Sequence, residues 1–96
     1  MKTLEEIKNT LIANKKELSQ KYPIYSLAIF GSYAREEATS QSDLDLLVEF
    51  SDKIGMRFID LAGELENITQ LKVDLVSKRG IKKPYYEVIE QDLIYV

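Results

Sequence analysis

The chain has no cysteine and no histidine among its 96 residues. Without cysteine there is no disulfide framework and no thiolate metal site. Without histidine, Ser-His and Cys-His catalytic pairs are excluded, as is a zinc site of the usual kind. Any metal must be a hard cation held by oxygens, which points to magnesium or manganese. An excess of cations is also lacking. The formal net charge of −3 argues against a protein that coats nucleic-acid phosphates, and no direct DNA binding is expected. No apolar run is long enough to span a bilayer. The N-terminal MKTLEEIKNTL carries acids where a signal peptide has its apolar centre. A soluble, cytoplasmic protein without membrane contact is the expectation.

What is present is an ordinary globular composition, 45% hydrophobic, in a length that suits one small domain spanning residues 1–96. Such a chain buries roughly two thirds of its unfolded surface and holds a core without staples. Residues 3–19 are predicted helical, with Thr3 and Glu6 as a capping box and Leu4, Ile7, Leu11 and Leu18 on one face, Ile12 beside them. The proline of Lys21-Tyr22-Pro23 ends that pattern. Residues 24–30 form a short apolar strand covered on both faces, Gly31-Ser32 a turn, and residues 33–38 the start of a helix. After a polar loop over 39–42, residues 43–50 alternate as a strand.

Ser51-Asp52 and Gly55 then lead into an amphipathic helix carrying Phe58, Leu61, Ala62, Leu65 and Ile68. Residues 71–77 are a third strand and 78–83 a basic loop. Pro84 opens a short helix over 85–91, and 93–96 is a terminal strand. Neither repeats nor long linkers divide the chain. The alternation of helix and strand implies an α+β fold, an α/β sandwich in which helices pack on one small mixed β-sheet.

The chemistry-bearing residues lie mostly between Leu27 and Phe50, LAIFGSYAREEATSQSDLDLLVEF. Asp43 and Asp45 share one face of their strand with Leu47 and Glu49, and like charges so placed repel unless a cation sits between them. Magnesium held by carboxylates, water and phosphates is one remedy; two solvent-facing aspartates at an edge strand are the alternative. Asp74 stands between Val73 and Leu75, in a strand interior where aspartate is disfavoured. If its strand lies beside the Asp43 strand, three carboxylates converge and can serve two metal ions; otherwise Asp74 is a capping or ion-paired residue. Gly31 permits a sharp turn and close phosphate approach, and the Ser32 hydroxyl and following amides are phosphate donors, although most Gly-Ser pairs are plain turns. Arg35 has three open roles: a phosphate contact, a contact with the carboxylates, or a surface pair with Glu36 or Glu37. Lys78, Arg79, Lys82 and Lys83 form a solvated loop or reach toward a triphosphate or an acidic partner.

Taken together, GSYAREEATSQSDLDLLVEF and the later VDLV resemble the signature of the DNA polymerase β-like nucleotidyltransferases, closest to the minimal nucleotidyltransferase (MNT) antitoxins of HEPN/MNT toxin–antitoxin pairs. The pattern of Gly-Ser, ten residues, Asp-x-Asp and a later aspartate falls on Gly31, Ser32, Asp43, Asp45 and Asp74, and the resemblance covers nearly the whole chain. It implies the nucleotidyltransferase fold and transfer of AMP from ATP onto a hydroxyl, with Asp43, Asp45 and Asp74 as catalytic metal ligands. Gly31, Ser32 and Arg35 are then the nucleotide-binding residues. Two Mg2+ ions, or Mn2+, are implied as cofactors. A neighbouring HEPN toxin is implied as partner, neutralised by adenylylation of a tyrosine; binding without catalysis is the alternative. Glu36 departs from the pattern, since many members have glycine directly after the motif arginine. The chain also lacks the C-terminal helical domain of larger relatives, which disfavours a small-molecule acceptor such as an aminoglycoside.

Overall fold

The computed structural model describes residues 2–96. Helix α1 runs Leu4–Lys21 and opens on the expected capping box: the Glu6 amide donates to Thr3 Oγ1 at 3.1 Å, and the Thr3 amide to Glu6 Oε1 at 3.2 Å. Strand β1 follows at Ile24–Phe30, the single turn α2 at Gly31–Ala34 and β2 at Leu44–Phe50. Helix α3 spans Arg57–Thr69 and β3 Val73–Ser77. A 3-10 turn at Lys78–Gly80, helix α4 at Lys83–Ile89, a second 3-10 turn at Glu90–Asp92 and the two-residue β4, Ile94–Tyr95, complete the chain. No helix among the described residues is long and apolar enough to cross a membrane.

The four strands form one mixed sheet in the order β3-β2-β1-β4. β1 is antiparallel to both β2 and β4, while β2 and β3 run parallel, joined by α3 as a crossover. The two faces are unequally covered. Under α1 and α3 lie Leu27 and Ile29 of β1 and Leu44, Leu46 and Val48 of β2, packed with Ile7, Leu11, Leu18, Leu61 and Leu65. The opposite face has a smaller cluster, in which Phe30 and Leu47 meet Ile89 of α4. α4 therefore covers only part of that face.

Several expectations shift in detail. β1 is buried on both faces only from Leu27 onward, because Tyr25 sits at a register irregularity between Ile24 and Ser26 and is 71% exposed. Ile12 is turned out to solvent, since it lies about 100° around α1 from Leu11. The helix predicted over 33–38 is instead the turn Gly31–Ala34. It stops because the amides of Glu36 and Glu37 fold back onto the carbonyls of Tyr33 (3.1 Å) and Ser32 (2.8 Å), a Schellman closure, while Tyr33 anchors the turn in the core.

Candidate active site

β1 ends at Phe30, which pairs with Asp45 across the sheet. The chain then turns at Gly31 with φ +73°, a left-handed conformation open to glycine at little cost. A second constraint acts on the same atom: a Cβ on Gly31 would collide with the Asp45 carboxylate. The bare Cα of Gly31 thus seats an acidic side chain. Because α2 is one turn long, what it offers an anion is a few local N–H donors rather than a macrodipole.

Asp45 is half-buried, and its rung partner across the parallel β2–β3 pair is Asp74. The strand order thus meets the condition for bringing Asp74 beside the earlier pair. Burial is the main reason the Asp45 carboxyl is pushed up to about 6; the charges of Asp74 and Asp43 and a hydrogen bond shared with Asp74 add to it, and Arg35 opposes it. Asp43 precedes β2 by one residue and is exposed. Asp74 is exposed too, because β3 is an edge strand. Its apolar sequence neighbours suggested an interior position, but the unpaired edge leaves this end of the strand open to water. Among the described residues, no three His, Cys, Asp or Glu side chains are grouped to hold a metal ion. The assembled element is the Asp45–Asp74 pair, with Asp43 outside it. The donors still suit a hard divalent cation: all are carboxylate oxygens, and their mutual repulsion is what such a charge offsets.

An open groove of about 800 Å³ extends from Asp43 past Ser40–Ser42 to Lys72, with Tyr33 and Lys2 on its other side. Its size falls within the range of small-molecule sites.

Arg35 donates to Glu37 at 2.9 Å and to Asp92 at 2.8 Å, so of its three open roles the structure shows the surface pair. Asp92 had no local signal in the sequence. It lies 57 positions from Arg35 and meets it only because the 3-10 turn before β4 passes α2. Glu36 is the C′ residue of the Schellman closure, with φ +58°. A glycine would be relaxed there. The Glu36 side chain is exposed and lines a cavity with residues 2–5 of the α1 entry, Tyr33 and Ala38. Of the basic stretch, Lys78 pairs with Glu49 at 3.4 Å and lies 5.5 Å from the Tyr86 ring, while Arg79, Lys82 and Lys83 are exposed.

The sequence profile described as nucleotidyltransferase domain matches residues 12–96. A proposed protein adenylyltransferase of Methanocaldococcus jannaschii is 48% identical over 98 residues, covering all of both chains. Protein adenylyltransferase MntA of Thermococcus cleftensis is 40% identical, over all of this chain and 98% of that one. Among solved structures, a proposed minimal nucleotidyltransferase superposes with a TM-score of 0.82 at 31% identity, over 97% of this chain and 95% of that one. The complex of a tri-AMPylated Shewanella oneidensis HEPN toxin with its MNT antitoxin gives a TM-score of 0.70 at 19% identity, over 97% and 71%, a likeness of fold.

Proposed function

Because this chain belongs to the nucleotidyltransferase domain family, we propose that it transfers AMP from ATP to a protein hydroxyl, a tyrosine of a HEPN-domain toxin, and acts as that toxin's antitoxin in the cytoplasm. The observation that carries the reading is the Asp45–Asp74 rung set against Gly31, at the end of β1 where the chain turns into α2. Relatives similar over the full length that bear the name protein adenylyltransferase support the activity. The HEPN complex of similar fold supports the partner.

In this mechanism the Gly31 backbone, the Ser32 hydroxyl and the amides of α2 hold phosphate oxygens. Arg35, held beside the site by Asp92, supplies positive charge near the carboxylates. The acceptor oxygen attacks the α-phosphorus, the bond to the bridging oxygen of pyrophosphate breaks, and the acceptor proton passes to Asp74. Asp45 and Asp74 would hold magnesium, which when bound neutralises phosphate charge and the repulsion between the two acids, and Asp43 would have to turn toward them to join as a third ligand. The protein's main contribution is positioning: a carboxylate seated on a glycine Cα and locked by a sheet rung has little freedom to wander.

Incubation with α-labelled ATP, magnesium and the HEPN-domain protein should label that protein. Asp45→Ala and Asp74→Ala should abolish the label, and labelling equal to wild type by either variant would sink the proposal. Toxin neutralisation retained without Asp43, Asp45 and Asp74 would instead favour neutralisation by binding alone.

A further inference from the structure

Residues 78–83 hold four of the chain's 13 cations and no acid, in a chain whose formal net charge is −3. Only Lys78 is spent internally, on Glu49 and the Tyr86 ring. Arg79, Lys82 and Lys83 are exposed and enter no salt bridge among the described residues. Arg79 and Lys78 also line a cleft of about 390 Å³ with Lys53 and Asp52, floored by Phe50 and Ile54, at the carboxyl ends of β2 and β3. Beside this basic segment, the outer side of α4 leaves Tyr85 51% and Val88 67% exposed, about 100° around the helix from the Tyr86 and Ile89 side that packs on the sheet.

These features share strands with the carboxylates. β3 carries Asp74 near its start and runs into Lys78, four residues or about 13 Å away. An acceptor protein reaching Asp74 covers a patch of about 800 Å², wide enough to include this segment. Resting on the reading that the acceptor is a protein, we infer that residues 78–83, the adjoining cleft and the outer side of α4 form its docking surface, matched to an acidic segment of the acceptor with an apolar centre. The exposed Tyr85 and Arg79 are of residue types enriched at protein interfaces, while Lys82 and Lys83 add charge that steers an acidic partner. A nucleic acid fits less well: its unbroken line of phosphates would run over Glu49 and Asp52 in the cleft and Glu87 and Glu90 on or after α4, whereas an acidic segment of a protein can set its few charges against Arg79, Lys82 and Lys83 alone.

The test measures complex formation without ATP between the full chain and the HEPN-domain protein, at two salt concentrations, for wild type and R79E/K82E/K83E. The reversed variant should keep the wild-type melting temperature and bind at least tenfold more weakly. Wild-type affinity should fall with salt. Equal affinity of wild type and the reversed variant, or no wild-type complex, overturns the inference. So does wild-type binding of a 20-nucleotide RNA that the reversal abolishes while protein binding survives. Labelling from ATP separates the two ideas: a charge-dependent complex without AMP transfer leaves the docking surface standing and removes the transferase reading.

Discussion

The two faces of the sheet contrast in what they do with the same strands. Under α1 and α3, alternate residues of β2 (Leu44, Leu46 and Val48) are fully buried in apolar company. On the other face, the residues between them begin with Asp43 and Asp45, end with Glu49, and are only partly covered by α4. One face is built for burial and the other crowds like charges against a glycine turn. Stability comes from the first and is given up at the second, the usual pattern where a site breaks local rules.

Truncating the well-packed face should give the largest effect. Leu46→Ala removes a fully buried side chain and should cost about 3 kcal/mol in urea unfolding; a cost below about 1 kcal/mol would mean the large core does not dominate. Gly31→Ala comes next, at about 2 kcal/mol for a left-handed non-glycine residue that also displaces a carboxylate. It should lower AMP transfer by at least tenfold. Full activity would show that Asp45 need not rest on Gly31.

The third prediction has the opposite sign. The Asp45 carboxyl sits at about 6 when folded against 3.8 for its ordinary value. Between those values the folded chain holds a proton the unfolded chain has released, so stability falls as pH rises from about 4 to 6 and stays lowered above. Asp45→Asn removes that penalty. After allowance for solvent screening it should stabilise by about 1–2 kcal/mol at pH 7 and by almost nothing at pH 3.5. An equal gain at both pH values would refute the charge explanation. The smallest effect belongs to Glu36→Gly, expected to raise stability by about 0.5–1 kcal/mol by relaxing φ +58°, read as a rise in melting temperature.

Much of this contrast was legible in the chain. Period two in residues 43–50 set Asp45 apart from Leu44, Leu46 and Val48, and the structure keeps that division, although Asp43 falls one residue before β2. The capping box at Thr3 and the 24–30 strand boundaries followed from local rules and hold. Arg35 was ambiguous because an arginine on a surface turn has several acids within reach; Glu37 was among those foreseen, while its second partner, Asp92, has no sequence proximity. Glu36 was legible only as an unusual residue. Its left-handed backbone depends on where α2 stops.

By itself, the sequence determined the chemistry available: oxygen ligands only, two aspartates on one face, a Gly-Ser turn upstream and a third aspartate in a later strand. Those follow from residue type and from backbone periodicity, which act over a few residues. Tertiary structure decided that β3 lies parallel beside β2, so that Asp74 shares a rung with Asp45. It also decided that β3 is an edge, leaving Asp74 exposed, and that the Asp45 carboxylate occupies the space a Gly31 side chain would need. Strand order is set by how whole helices and strands bury their apolar faces together, and no local pattern encodes it.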